Sequence, residues 1–230
     1  MRKGVQRLFS EVAKTYEFVN HVLTFGMDMV WRSKAAREAI KAGGNLWLDV
    51  CSGTGEMALN LSRLSDETVR IISVDFSDSM LTRGLKSRTI PQLRWVMADA
   101  VHLPFSDDSF DLVTISFATR NININREILV AHFKEFRRVL KPEGCFINLE
   151  TSQPSKKIIQ KLFHVYIKLA VKPLGYIISG SKAGYAYLSH TIPRFYSAKE
   201  LTSLLLESGF KKVDHRLLFL GVSAIHTAWK

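Results

Sequence analysis

A glycine-rich stretch around residue 53 holds the side chains whose types and spacing most clearly suggest chemistry. Asp49 ends an apolar run, Cys51 follows it, and Gly53-Thr54-Gly55 leads into an amphipathic segment. Glycines in a turn between a strand and a helix let the backbone approach a ligand closely, and the first helical turn presents unpaired N–H groups. This pattern predicts a nucleotide-binding turn, although the glycine spacing alone also fits dinucleotide-binding proteins.

Carboxylates at the ends of the neighbouring predicted strands narrow the choice of ligand. Asp75, twenty residues beyond Gly55, is placed to bind both ribose hydroxyls of an adenosine group. Asp99 follows the third strand and is placed to accept a hydrogen bond from an adenine amino group, a solvated loop carboxylate being the alternative. Asp49 would repel a pyrophosphate but would favour a ligand that carries ammonium and sulfonium charges. The residues therefore predict S-adenosylmethionine as the cofactor.

The elements that must position these side chains follow the alternation of a parallel α/β sheet. Apolar runs predict strands at residues 46–50, 70–74, 93–97, 112–117 and 145–149, with helices at 57–64 and 128–140 between them. Lys141-Pro142-Glu143-Gly144 predicts a turn that separates the second of these helices from the fifth strand. A last helix at 198–208 and two strands at 212–217 and 223–228 complete the prediction.

Length and composition indicate one globular domain in a reducing compartment. The chain has 230 residues, of which 47% are hydrophobic and 23% charged, and only 2 cysteines. The N-terminal residues lack the apolar stretch of a signal peptide, and no run is long enough to span a bilayer, so we expect a cytoplasmic protein. We divide it into an N-terminal helical cover (1–44), a cofactor-binding core (45–150), a helical insertion (151–197) and a last helix with the final strand hairpin (198–230).

The net charge of +11 is unevenly distributed. Residues 1–44 carry +4, residues 45–150 carry −2, and residues 151–230 carry +9. The cofactor-binding core is therefore slightly acidic, whereas the flanking segments favour an anionic partner such as a lipid surface or nucleic acid.

Much of the basic excess falls in the insertion, where residues 156–172 predict an amphipathic helix. Its two faces carry, on one side, Lys157, Lys161, His164, Lys168 and Lys172 and, on the other, Ile159, Phe163, Tyr166 and Ala170. Such a helix is typical of proteins that lie on an anionic bilayer, an ordinary surface helix being the alternative. Residues 156–182 are thus the candidate contact with the inner face of the membrane, as a peripheral protein.

Motifs along almost the whole chain carry a family resemblance. They include Phe9-Ser10, Tyr16, Asn20, Trp31-Arg32, Leu48-Asp49, Gly53-Thr54-Gly55, Leu103-Pro104-Phe105, Arg120-Asn121, Arg138-Val139-Leu140-Lys141-Pro142, Leu149-Glu150 and Tyr185-Ala186-Tyr187-Leu188. The chain resembles class I S-adenosylmethionine-dependent methyltransferases and, more narrowly, the ubiquinone/menaquinone biosynthesis C-methyltransferase family. The resemblance implies a Rossmann-like fold with a seven-stranded, mostly parallel sheet, an N-terminal helical cover and a helical insertion before the last helix.

The resemblance also implies roles for the site residues. The expected cofactor contacts are Asp49, Cys51, Gly53, Thr54, Gly55, Asp75, Phe76, Met80, Asp99, Ala100 and Ser116. The expected catalytic residues are Arg120, Asn121, Tyr16 and His190, and the expected substrate contacts are Tyr16, Asn20, Arg120 and Tyr187. Because an arginine stays protonated, we expect Arg120 to hold a phenolate or polarise a water, unless it forms a structural ion pair, whereas His190 is the candidate general base. No pair of histidines has the spacing of a metal site, and none is predicted.

The reaction that the resemblance implies is methyl transfer to carbon of a prenylated quinol, of the demethylmenaquinol or ubiquinol-precursor type. Another hydrophobic or small metabolite is the alternative acceptor, because Ala118-Thr119 and the residues after Asn121 depart from the family pattern. RNA is disfavoured, since neither an Asn-Pro-Pro-Tyr motif nor an RNA-binding module is present. A non-catalytic nucleotide- or membrane-binding protein on the same scaffold is a further alternative, and the oligomeric state is left open, a dimer included.

Overall fold

The computed structural model describes residues 16–87, 90–179 and 182–230. The Phe9-Ser10 motif and the side chain of Tyr16 lie outside the described residues. The strands are β1 (Leu46–Val50), β2 (Arg70–Asp75), β3 (Leu93–Met97), β4 (Phe110–Ser116), β5 (Leu140–Thr151), β6 (Lys212–Leu218) and β7 (Ser223–Trp229). The described α-helices are α1 (Tyr16–Leu23), α2 (Met27–Ala39), α3 (Glu56–Leu64), α4 (Asp78–Ser87), α5 (Thr119–Ile122), α6 (Arg126–Val139), α7 (Lys157–Tyr166), α8 (Lys172–Ser179), α9 (Lys182–Thr191) and α10 (Ala198–Glu207).

The seven strands form one sheet in the order β3-β2-β1-β4-β5-β7-β6. The strands from β3 to β5 run parallel, and β7 is antiparallel to both β5 and β6. The expected Rossmann-like, seven-stranded, mostly parallel fold is therefore confirmed. Because the strand order reverses between β1 and β4, the carboxyl ends of these two strands open a crevice of the kind in which ligands bind.

Helices cover both faces of the sheet, and this explains why the central strands are almost continuously apolar. On one face, Phe133 and Phe136 of α6 pack against Phe146 of β5. On the other face, Trp31 and Ala35 of α2 belong to the core that covers β1. Helix α2 of the N-terminal cover is thereby packed against the sheet.

Among the strand boundaries, the start of β5 differs most from the sequence prediction. The turn expected at Lys141-Pro142-Glu143-Gly144 lies inside β5, which begins at Leu140 rather than at residue 145. Glu143 has φ of 64°, and the pairing of β4 with β5 shifts register between Phe110 and Leu112. The proline and the left-handed residue produce a bulge within a strand instead of ending it.

The insertion folds back onto the N-terminal cover. After α7 the chain continues through a π-helical segment, Ile167–Val171, into α8. Ile167 and Val171 are buried with Val19 and Leu23 of α1, and the hydroxyl of Tyr166 donates to the Leu23 carbonyl. Among the described helices, none has the length and apolar character needed to cross a membrane.

Candidate functional site

The glycine-rich turn between β1 and α3 is built from backbone conformations that favour glycine. Gly53 and Gly55 have φ of 56° and 84°. A Cβ at Gly55 would lie 2.4 Å from the ring of Trp95, whereas one at Gly53 would meet nothing within 4 Å. Gly55 therefore allows the turn to pack on the sheet side, and Gly53 borders open space where a ligand can approach the backbone.

That open space is a cavity at the carboxyl ends of the strands. Ten residues expected at the site line it, namely Cys51, Gly53, Thr54, Asp75, Phe76, Met80, Asp99, Ala100, Ser116 and Asn121. Eight others were not foreseen, namely Arg32, Ser52, Glu56, Phe117, Ala118, Ile122, Ile124 and His132. Loops after four different strands thus converge on one cavity, as the topology requires.

Asp75 is fixed at the end of β2 by the turn that it faces. Its Oδ2 accepts from the Gly53 N–H at 2.8 Å, and its Oδ1 accepts from the Ser77 N–H at 2.9 Å. Burial raises the pKa of this carboxyl, while the backbone N–H groups act in the opposite direction. A carboxylate has about four acceptor sites, so Asp75 retains capacity for the two hydroxyls of a ribose.

Asp49 does not line the cavity, which corrects the expectation of a direct cofactor contact. Its side chain is fully buried in β1, and its Oδ1 accepts from the Thr114 hydroxyl at 2.8 Å. Burial raises the pKa of Asp49 to about 7, against hydrogen bonds from Thr114 and the Ala58 backbone that lower it. Its charge acts on the cavity through space and not by contact.

The chemistry of the cavity wall fits S-adenosylmethionine better than a dinucleotide. The described lining includes the carboxylates of Glu56, Asp75 and Asp99 and a single guanidinium, that of Arg32. Burial, together with Asp75, Asp49 and Asp99, raises the pKa of the Cys51 thiol well above its usual value. Such an acidic wall repels a pyrophosphate and suits an adenosine that carries a cationic group.

Arg120 and Asn121 lie beside this cavity in the short helix α5. Arg120 is 6% exposed, and its Nε and Nη1 have no hydrogen-bond partner among the described residues. Its Nη2 lies 3.5 Å from Oδ1 of Asn121, which lines the cavity. A buried guanidinium with unpaired donors is costly unless a ligand satisfies them.

Two further groups surround Arg120. The buried carboxylate of Glu150, at the end of β5, accepts from the Arg120 backbone N–H at 3.0 Å. Burial raises the pKa of Tyr187 on α9, the Arg120 cation acts to lower it, and Glu150 adds to the rise. Tyr187 therefore lies within electrostatic reach of Arg120, and its role as a substrate contact stays a prediction.

The structure gives different results for the other residues that were predicted to contact or activate the methyl acceptor. His190 is exposed and its Nδ1 lies 3.2 Å from Nη1 of Arg194, so the structure gives no support to His190 as the general base. Asn20 is half-buried in α1, and its role stays a prediction, as does that of Tyr16.

The residues that the sequence missed gave little local signal. Arg32 stands four residues after Asp28, which indicates a helical ion pair but not a place at a cavity. His132 continues the pattern of α6, and its Nδ1 donates to the Ile128 carbonyl at 2.7 Å. Both reach the cavity only because α2 and α6 pack over the ends of the strands.

Comparison with known proteins identifies the family of the chain. The model of the ubiE/COQ5 methyltransferase family matches residues 1–230. A demethylmenaquinone methyltransferase of Staphylococcus aureus strain JH9 is 35% identical over 230 residues, which cover 100% of this chain and 94% of that protein. The protein of strain Newman gives the same values.

Solved structures share the fold at low sequence identity. A SAM-dependent methyltransferase from Thermotoga maritima, described as a possible histamine N-methyltransferase, superposes with a TM-score of 0.62 at 18% identity, covering 97% of this chain and 99% of that one. A putative methyltransferase of Haloferax volcanii, in complex with the Trm112 activator, gives 0.65 at 14% identity, with 95% and 96% covered. The cavity, the fold and the full-length family match thus agree: the chain belongs to the ubiE/COQ5 methyltransferase family and is an S-adenosylmethionine-dependent methyltransferase.

Proposed function

We propose that the protein methylates a ring carbon of a prenylated hydroquinone of the demethylmenaquinol type. The observation that carries the proposal is the buried Arg120, with two guanidinium nitrogens unpaired among the described residues, beside an S-adenosylmethionine cavity. An anionic oxygen of the acceptor would satisfy these donors. A phenolate is such an oxygen, and it also makes the adjacent ring carbon a nucleophile.

Each residue at this end of the cavity has a chemical task in the transfer. Bound S-adenosylmethionine would supply an electrophilic methyl group: the ring carbon forms the new C–C bond as the S–C bond breaks, and the electron pair of that bond stays on sulfur. The hydroxyl proton leaves to water when the phenolate forms. Loss of the proton on the methylated carbon, also to water, restores the aromatic ring and the neutral hydroxyl, with one net proton released. Arg120 stabilises the phenolate and stays protonated, since the pKa of arginine is above about 12. Asn121 is placed to orient the same oxygen through its amide. Tyr187, whose pKa is raised, keeps its hydroxyl proton and serves as a hydrogen-bond donor.

A labelled-methyl transfer assay tests the acceptor. We expect transfer to a short-chain demethylmenaquinol but not to the oxidised quinone, which lacks the hydroxyl proton whose loss activates the ring. Arg120→Ala should lower turnover by about 10²- to 10³-fold, the loss typical of one charge-stabilising donor. Its affinity for S-adenosylhomocysteine, measured by calorimetry, should be unchanged.

The matched control is His190→Ala, on the exposed side of α9, which should retain full turnover. Labelling of total RNA without labelling of any quinol would contradict the proposed acceptor. Equal turnover of wild-type protein and Arg120→Ala would contradict the role of Arg120 while leaving the acceptor intact.

We further propose that the insertion binds the inner face of an anionic membrane, where such a substrate resides. Ile158, Leu162, Val165 and Leu169 follow one another at helical spacing and are each more than half exposed. This row, which we term the apolar stripe, differs from the predicted face, because Ile159, Phe163 and Tyr166 turn partly inward. Phe25, also exposed, lies with its ring 6.1 Å from that of Tyr166 and extends the surface.

Lysines beside the apolar stripe favour lipid over other occupants. Lys157, Lys161 and Lys168 are exposed on the adjacent side of the same segment, whereas His164 hydrogen-bonds Gln153 instead. At about 1 kcal/mol for each basic residue near an anionic surface, these lysines support reversible binding. Apolar side chains between headgroup-binding cations are typical of interfacial helices.

Vesicle flotation tests the membrane contact. We expect binding to phosphatidylglycerol vesicles at low salt, weaker binding at high salt and little binding to phosphatidylcholine. Leu162→Ser with Leu169→Ser should abolish binding, while Leu206→Ser, at an exposed leucine of α10, should leave it unchanged. A dimer in sedimentation experiments that the stripe variant dissociates would assign this surface to a second copy of the chain instead.

A further inference from the structure

The N-terminal cover places a compact charged cluster at one end of the cofactor cavity. Arg32 of α2 donates from Nη1 to Asp28 Oδ2 at 2.7 Å, and its Nη2 lies 3.0 Å from Glu56 Oε2, in the first residue of α3. His21 of α1 lies 2.8 Å from Asp28 and 3.4 Å from Glu56. The two carboxylates and the histidine would suit a metal ion, but Arg32 already supplies the cation that bridges both carboxylates.

Arg32 retains binding capacity after these contacts. Arg32 is 4% exposed and lines the cavity, yet its Nε has no partner among the described residues. The guanidinium carbon lies 5.0 Å from the centre of the Phe117 ring, which also lines the cavity. A rigidly held guanidinium with an unsatisfied buried donor points to an anionic group of a ligand as its missing partner.

The order of the strands tells which part of the cofactor reaches this cluster. Asp99 follows β3 and Asp75 ends β2, so an adenosine occupies the β3–β2 side of the cavity. Phe117 follows β4, on the far side of β1, and Arg32 lies against it. Adenine, ribose and amino acid are joined in that order in the cofactor. The amino-acid end therefore extends toward Arg32 and Glu56.

We propose that Arg32 binds the α-carboxylate of the cofactor's amino-acid end and that Glu56 binds its α-ammonium group. The pair would recognise a zwitterion by two charges of opposite sign. Asp28 and His21 then act as positioning residues that fix Arg32 and Glu56. This inference concerns cofactor binding and does not depend on which acceptor is methylated.

Calorimetry with two ligands tests the assignment without any methyl acceptor. S-adenosylhomocysteine carries the amino-acid end, whereas 5′-methylthioadenosine keeps the adenosine and the thioether but lacks both charged groups. In Arg32→Lys the affinity for S-adenosylhomocysteine should fall about 10- to 100-fold, the range for a lost charge-assisted hydrogen bond. The affinity for 5′-methylthioadenosine should change less than about threefold, since its groups lie at the other end of the cavity.

Glu56→Gln and Asp75→Asn complete the experiment. Glu56→Gln, which is isosteric, should repeat the ligand-dependent loss, and it decides the question if Arg32→Lys does not fold. Asp75→Asn should weaken both ligands alike. An unchanged affinity of Arg32→Lys and Glu56→Gln for S-adenosylhomocysteine, or an equal loss for both ligands, would overturn the inference. Because no methyl acceptor is present, neither outcome bears on the proposed quinol.

Discussion

Replacing Asp49 by asparagine tests whether the carboxyl group next to the glycine-rich turn has a raised pKa. Burial raises its pKa to about 7 in the folded protein, whereas an unfolded aspartate has a pKa of about 3.9. The stability that the protonated group contributes is therefore fully present below about pH 4, falls as the pH rises, and is lost above about pH 7. At about 1.4 kcal/mol per pKa unit, the gap of about three units corresponds to about 4 kcal/mol.

Urea unfolding of both proteins between pH 5 and 8.5 measures this effect. Asparagine keeps the size of the side chain and an oxygen that accepts from Thr114, but it does not titrate. The free energy of unfolding of Asp49→Asn minus that of the wild type should therefore rise by about 1.4 kcal/mol per pH unit up to about pH 7 and then level off. Asp66→Asn, at an exposed position, should give a flat difference. A flat difference for Asp49→Asn as well would refute the raised pKa.

The same carboxylate should respond to the charge of the cofactor. The sulfonium of S-adenosylmethionine favours the ionised form of Asp49, so binding near pH 7 should release protons. S-adenosylhomocysteine, which lacks the sulfonium charge, should release fewer. Calorimetry in buffers of different ionisation enthalpy measures the protons released. Equal release by wild-type protein and Asp49→Asn would contradict a through-space role for Asp49.

Other consequences of the structure are open to simpler measurements. In urea titrations, Gly55→Ala should lower the free energy of unfolding by more than Gly53→Ala. Both glycines have positive φ, but of the two only Gly55 lies against Trp95, and equal losses would contradict this packing. Phe146→Ala should lower the free energy of unfolding by about 3–5 kcal/mol in the same assay, because Phe146 is fully buried among other aromatic rings. A loss below about 1 kcal/mol would show that the neighbouring side chains fill the cavity left by the ring. The two cysteines, whose pKa values are raised, should react slowly with a thiol reagent at pH 8 in the native protein and rapidly in urea, whereas rapid native labelling would contradict the raised pKa values.

The sheet could be predicted from the sequence because each parallel strand is a short apolar run between helices. The runs at 46–50 and 93–97 match β1 and β3 at both ends. The limits of this reasoning show at β5, where Lys141-Pro142-Glu143-Gly144 has the composition of a turn. Pairing with β4 on both sides of the bulge keeps these residues in the strand, and such pairing is a tertiary effect.

The candidate site divides in the same way. Asp75, Asp99 and Ser116 could be predicted because the carboxyl ends of parallel strands meet at one edge of the sheet. A residue at or just after such an end therefore lies near the crevice in which ligands bind. Arg32 and His132 depend on where whole helices pack, and the distance along the chain to the turn carries no information about that. His190 was expected to be the general base because it lies in the insertion. Its place in the sequence does not tell which side of α9 it occupies, and in the structure it is exposed.

The uneven distribution of charge along the sequence is reflected in the charges around the cofactor cavity. The slightly acidic core surrounds the cavity with carboxylates, and these suit a cofactor whose reacting end is cationic. Arg120 places one buried cation beside that acidic wall, on the side where Tyr187 and the insertion lie. Its proposed anionic acceptor would therefore meet a positive charge next to the methyl group to be transferred. The acidic cavity wall and the buried guanidinium of Arg120 would thus favour groups of opposite charge, a cationic cofactor and an anionic acceptor oxygen.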